Sequence, residues 1–476
     1  MLKITSMDTP TPTRPSLLSA LSEQVQLGMA TAIADVSRLV RIPSVSWPAF
    51  DHTQVARSAD AVASLLTELA VFDAVDILRA PLGDSAELTT LGQPAVLATR
   101  AARNGRPTVL LYAHHDVQPP GNYADWLSAP FEPTIRGDRL YGRGAADDKA
   151  GVIAHVAAMR ALVATVGSDF DLGLVVFIEG EEESGSGSFT NFLTQHRARL
   201  AADVIVVADS DNWNINTPSL TVSLRGNVSL TVGVRTLEHA SHSGMFGGAA
   251  PDAMLALIAL LATLHNPDGS VAVAGLTEND GDVPDFPEAQ LRHDAALLEG
   301  VQLIGTGPIL GRLWSKPAIT VTGIDAPTIA TASNTLIPAV AARISVRIAP
   351  GQQASDAVKA LETHLRAHVP FGAQLDIVVV DTGNGFLVDT SGWAVAEAKV
   401  SMADAWGAEP QETGVGGTIP FIADLVRVFP DAQILVTGVE DPETWAHSPN
   451  ESLHLGVFKR AILTEAVLLA RLNERS

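Results

Sequence analysis

The sequence predicts an α/β fold in two parts, a main domain with a mostly parallel central sheet flanked by helices and an inserted α+β unit that interrupts it. Three observations carry this. The chain has 476 residues, more than one compact core holds. Continuous apolar runs alternate with helix-like segments in the first half and again near the end. Between about 214 and 381 the strands instead alternate polar and apolar residues.

In chain order, residues 108–113 (TVLLYA), 172–178 (LGLVVFI) and 204–208 (VIVVA) are apolar throughout. Strands buried on both faces by helices have this texture. The Ala-rich segment 150–163 between them reads as a helix. In the insert, 228–234 (VSLTVGV) and 342–348 (ARISVRI) alternate with period two, so one sheet face is covered and the other exposed. Helical stretches at 252–265 and 354–368 lie among them. After the insert, 393–406 reads as a helix, 433–436 as a buried strand and 451–472 as a long closing helix. The boundaries predicted are 1–213 and 386–476 for the main domain and 214–385 for the insert.

Composition excludes several function classes. The formal charge is −22, which repels a nucleic-acid backbone. Hydrophobic residues make up 46%, ordinary for a folded protein and wrong for disorder. The first twenty residues hold no apolar stretch of signal-peptide length, and no later run free of charges and breakers is long enough to span a bilayer. A soluble, cytoplasmic protein with no nucleic-acid or membrane partner is expected. The chain has no cysteine, so His, Asp and Glu are the strong metal ligands available.

Five short patches carry those residue types: HHD at 114–116, GRGAADDK around Asp147, EGEEESGS around Glu182 and Glu183, VVADSDNW around Asp209, and HSPNE at His447. Three of them directly follow a predicted buried strand, where open α/β sheets place ligands. His114 and Asp116 are two residues apart, so in extended chain they share a side while His115 points away. Asp116 can then accept the free ring N–H of His114 and fix its tautomer. Each patch alone also has a plainer reading. His114 suits a hydrogen-bonded strand end, Asp147-Asp148 a helix cap, the triple acid 181–183 a solvated loop, and His447 an exposed turn. Spacing alone leaves Asp211 as a rival to Asp209. One reading that covers all five patches is a metal centre.

The segments LLYAHHDVQPP, LYGRGAADDKAG, EGEEESGS, HSGMFGG and HSPNE resemble the zinc metallopeptidase family of carnosinase-type dipeptidases, with aminoacylase, glutamate carboxypeptidase and succinyl-diaminopimelate desuccinylase as more distant members. The motifs stand in family order from about 110 to 455. The resemblance implies a catalytic domain interrupted by a ferredoxin-like lid and dimerisation domain, and two zinc ions per subunit, with manganese or cobalt as substitutes. Asp147 would bridge the ions, His114 and Asp209 completing one shell and Glu183 and His447 the other. Glu182 would be the general base acting on a bridging water, Asp116 the partner of His114, and Glu181 an extra acid. The family's cis peptide would fall at Asp147-Asp148.

His242 resembles the histidine that reaches the active site from the neighbouring subunit of a homodimer. Arg347 resembles the arginine that grips a substrate carboxylate, and Gly416, Gly417 and Thr418 the loop whose N–H groups meet that carboxylate; Asn334 would line the pocket. Many family members carry Arg-Glu before that glycine pair, whereas Gly414-Val415 stands here, a departure at the carboxylate end of the site.

The expected activity is metal-dependent hydrolysis of the amide bond of dipeptides or similar small substrates with a free carboxylate. The alternative within the same chemistry is an N-acyl amino acid deacylase. A non-catalytic binding protein on this fold should have lost its base or a ligand, whereas Glu182, Asp147 and His447 are all present.

Overall fold

The computed structural model describes residues 14–83, 90–281, 283–416 and 420–475. The chain divides into two compact units, Met1–Thr221 with Asp389–Glu412 and Asp424–Ser476, and Val222–Val388 with Thr413–Ala423.

In the first unit the sheet order is Ala74–Leu78, Ala95–Arg100, Gly173–Glu179, Thr108–His114, Val204–Ala208 and Gln433–Thr437. The last four are mutually parallel and the first two are added antiparallel at one edge. Gly173–Glu179 and Val204–Ala208 are buried at every position, as the apolar runs 173–178 and 204–208 require, and the terminal Glu179 accepts from the Tyr112 hydroxyl at 2.6 Å. Helix Lys149–Val166 packs against helices Arg14–Val40 and Leu455–Glu474 and lies against the strands. Its small residues permit close approach, since a Cβ on Gly151 would lie 2.4 Å from the Ala208 carbonyl. Lys149 is fully buried and donates from Nζ to the carbonyls of Leu39 (2.8 Å) and Ile42 (2.7 Å), satisfying acceptors where the first helix ends. His155 and Glu465 join two of these helices at 2.8 Å.

Among the described residues, Lys149–Val166 is long and apolar enough to cross a membrane. Its sequence reads as a helix over 150–163, and Lys149 and Arg160 keep it from being a charge-free run of membrane-spanning length. Most of it is buried inside the protein, where it serves as the core helix.

In the second unit, Ala318–Asp325, Ala339–Ile348, Gly226–Arg235 and Gln374–Gly383 form an antiparallel sheet in that order. Val228, Leu230, Val232 and Val234 alternate inward and share a core with Ile344, Val346, Leu257, Leu260, Leu361 and Leu365. The last four come from helices Ala253–Ala262 and Ala354–His368, so both helices cover one face.

The structure also departs from the sequence reading in the first elements and in two helix boundaries. Helices Arg14–Val40 and Thr53–Glu68 and the two edge strands precede the first element assigned from sequence. The helix read over 252–265 is Ala253–Ala262, with Asp252 accepting from the Leu255 N–H at its start. The helix read from 451 begins only at Leu455, because Ser452–His454 pairs as a strand with Arg139–Tyr141 and the His454 ring accepts the Gly456 and Val457 N–H groups.

Gly438 follows the strand Gln433–Thr437, and a Cβ there would lie 1.5 Å from the Ser210 carbonyl oxygen. Gly438→Ala is therefore expected to destabilise the protein by about 3 kcal/mol or more, because a main-chain atom has to move. Thermal denaturation checks this; an unchanged melting temperature would contradict the packing described.

Candidate metal centre

His114 ends the strand Thr108–His114 and Asp209 directly follows Val204–Ala208, so parallel pairing delivers both to the same end of the sheet. His114 Nε2 lies 3.1 Å from Asp147 Oδ1 and 3.9 Å from Asp209 Oδ1. His447 Nε2 lies 2.9 Å from Asp147 Oδ2 and 3.3 Å from Glu183 Oε2. Two triads of potential ligands result, His114–Asp147–Asp209 and Asp147–Glu183–His447, each with its ligand atoms within 4.8 Å of one another. Asp147 belongs to both and turns a different oxygen toward each histidine. Its peptide bond to Asp148 is cis. Asp211 stands in neither triad and interacts instead with Glu440 through a backbone bridge and its side chain.

Burial, reinforced by neighbouring carboxylates, pushes Asp209 up to about 6 and Glu183 up to about 7, although the two histidines pull both down. Burial likewise holds Glu182 well above the carboxylate range. Hydrogen bonds to Asp147 and Glu183 push His447 up to about 11. Burial would lower His114, yet its contacts with Asp116 and Asp147 raise it well above the imidazole range. Despite its own burial, Asp147 is held below the carboxylate range by the two histidines. Carboxylates crowded together and buried in this way, with two imidazoles among them, make a donor set that suits divalent cations. The nitrogen and carboxylate donors fit zinc, and also manganese or cobalt.

Asp116 ties two patches together. His114 Nδ1 lies 3.2 Å from the Asp116 main-chain oxygen and 3.4 Å from its carboxylate. That carboxylate accepts the N–H groups of Glu182 (3.2 Å) and Glu183 (3.0 Å) and the Ser46 hydroxyl (2.7 Å). The sequence reading anticipated the approach to His114 but not the acidic turn hung from the same group. Glu181 is buried, and its carboxylate accepts from Gln93 N (2.7 Å) and Ser188 N (2.6 Å), which accounts for the third acid of the run.

The remaining candidates belong to the second unit. His242 pairs with Thr335, is exposed, and accepts the Gly244 N–H through Nδ1 at 3.0 Å. Asn334 lies beside it, its carbonyl accepting from Ser243 N. Arg347 lies on Ala339–Ile348, opposite Asn227. Arg225, which the sequence reading did not select, is buried and donates to the Gly416 carbonyl at 3.2 Å. Burial, and then the charge of Arg347, push its guanidinium down to about 10. Arg225 thus lies against Gly416 and near enough to Arg347 to feel its charge. Gly417 and Thr418 lie outside the described residues.

Residues 110–471 match the family model Peptidase family M20/M25/M40. The chain belongs to this family. This M20/M25/M40 member is a metal-dependent peptidase hydrolase. It is 35% identical over 402 residues to a cysteinylglycine-S-conjugate dipeptidase of Corynebacterium striatum, covering 83% of this chain and 86% of the relative. Human carnosine dipeptidase 1 superposes with a TM-score of 0.75 at 24% identity, over 98% of this chain and 100% of that one. A dinuclear metal-binding M20 peptidase of Bacillus subtilis superposes with a TM-score of 0.59 at 14% identity, over 94% and 98% of the two chains. The two structures establish the shared fold.

Proposed function

We propose that this M20 member is a dizinc dipeptidase that hydrolyses the amide bond of small peptides with a free carboxyl terminus. The observation that carries the reading is Asp147, one oxygen in each of two ligand triads. The dipeptidase name of the Corynebacterium relative and the dinuclear description of the Bacillus structure support it.

His114, Asp147 and Asp209 would hold one ion and Asp147, Glu183 and His447 the other. Two such ions, when bound, would acidify water and polarise the scissile carbonyl. Glu182 takes the proton that the attacking water gives up and passes it to the leaving amine nitrogen as the C–N bond breaks. Asp116 keeps His114 in its ligating tautomer and the Glu182–Ser184 turn in place. Arg347 and the N–H groups of Gly416, Gly417 and Thr418 would bind the substrate carboxylate, and Asn334 would line the pocket. Arg347 suits this by its planar fork of donors.

In the same reading, residues 1–213 and 386–476 form the catalytic domain and 214–385 the insert, through which two copies associate. Helix Ala253–Ala262 supports that association by leaving Leu255 and Ile258 exposed on one side. His242 then serves the site of the other copy as an oxyanion donor. Mixed Glu182→Gln and His242→Ala proteins should regain partial activity as hybrid dimers; no recovery despite demonstrated subunit exchange would remove His242 from the mechanism.

Metal analysis combined with hydrolysis assays over dipeptides and N-acyl amino acids tests the function. Dipeptides with a free carboxylate should have the higher kcat/KM. A preference for N-acyl amino acids would make the protein a deacylase, and bound metal with no turnover of either class would make it a binding protein.

A further inference from the structure

We infer that Glu451 is a positioning residue that fastens the loop carrying Asp147 to the loop carrying His447, and so sets the arm shared by the two ligand triads. The inference rests on the dinuclear reading above and adds to it a residue outside both triads.

Glu451 is fully buried, and its carboxylate is saturated by one short stretch of chain. Oε1 accepts from the N–H groups of Ala146 (3.1 Å) and Asp147 (3.2 Å). Oε2 accepts from the Gly144 N–H (3.1 Å) and from Arg143 Nη1 (2.6 Å). The Glu451 main-chain oxygen accepts from Gly142 N as well (3.0 Å). An ionised carboxylate offers acceptor sites only, about four of them, so it matches this set of donors in number and kind. Arg143, itself buried, balances the charge, and its guanidinium lies 5.4 Å from the centre of the Trp126 ring.

The other loop is fixed at the same point. His447 and Asn450 have left-handed backbone conformations, with φ of 62° and 66°, so the path between them is an irregular turn. Asn450 pins that turn, accepting from Leu127 N at 2.8 Å and donating to the Asp125 carbonyl at 3.0 Å. Glu451 comes next and takes hold of Asp147's own N–H. A displacement of Glu451 would therefore move the Asp147 carboxylate relative to the His447 ring, 2.9 Å away.

Glutamine at 451 keeps the shape but replaces one acceptor oxygen with an NH₂ group, which opposes either the Gly144 and Arg143 donors or the Ala146 and Asp147 donors. Titration of the metal-free proteins with Co²⁺, followed by visible absorption, should show Glu451→Gln binding roughly 10–100-fold more weakly than wild type, with an altered band shape. A control, Glu465→Gln, removes the buried partner of His155 and should lower the melting temperature while leaving Co²⁺ affinity unchanged. Wild-type affinity and spectrum in a folded Glu451→Gln protein would overturn the inference. Failure of the wild type itself to bind two Co²⁺ would instead overturn the dinuclear reading. If Glu451→Gln does not fold because Arg143 is left unpaired, the double variant Glu451→Gln/Arg143→Gln takes its place with the same expectation. Hydrogen–deuterium exchange of the metal-free wild type is the check that needs no variant: the amides of Gly144, Ala146 and Asp147 should exchange slowly, and fast exchange would contradict the clamp.

Discussion

Glu182→Gln should keep its full complement of metal and lose activity by roughly 10²–10⁴-fold, the range for removing a positioned proton-transfer group. Glu182 stands in neither ligand triad, so the amide should leave both intact. The turn that carries it is held from the main chain, through the Glu182 and Glu183 N–H groups on Asp116, and those bonds do not depend on the side chain at 182. In the proposed mechanism, what disappears is the carboxylate that would accept the water proton. Steady-state kinetics should show the loss in kcat with KM little changed, as expected when an interaction made only in the transition state is removed. Metal analysis of the same preparation separates this from loss of ligands. Ordinary turnover in the variant would sink the role assigned to Glu182.

Asp147→Asn should be more severe, because one residue serves both triads. The amide has a single acceptor oxygen, so it can face His114 or His447 as Asp147 does, but not both. Metal content should fall from two ions to one or none per chain, and activity to background. The metal-free proteins should differ as well. In the wild type, Asp147 and Glu183 hold His447 up to about 11, above its ordinary 6.5. A raised histidine pKa stabilises the fold fully below about 6.5, and that contribution fades as pH rises toward about 11. In the Asp147→Asn variant, the His447 titration should move down toward its ordinary value. NMR titration of the ring would show it, and an unmoved pKa would contradict the contact on which the site is built.

The elements legible in the sequence are those with an unbroken apolar run or a marked helix end. Val204–Ala208 and Trp393–Trp406 are found at the positions read, because an unbroken apolar run and a helix closed by the left-handed Gly407 leave little choice of boundary. Ala74–Leu78 is only half-buried at the sheet edge, and such a strand carries no strong period. The residues of the two triads were legible only together, since each alone suits a cap, a strand end or a loop. Their supports were not legible. Glu451 meets Asp147 across 304 residues and Arg225 meets Gly416 across 191, and no local pattern records such pairings. The buried Lys149 is similar: beside two aspartates it reads as part of a charged turn, whereas its amine closes the end of a helix more than a hundred residues earlier.

The central claim is that two ions share Asp147, and anomalous diffraction from zinc-loaded crystals, recorded on both sides of the zinc edge, tests it most directly. Two peaks are expected in each subunit, one bounded by His114, Asp147 and Asp209 and the other by Asp147, Glu183 and His447. A single peak, or two peaks that do not have Asp147 in common, would contradict the account.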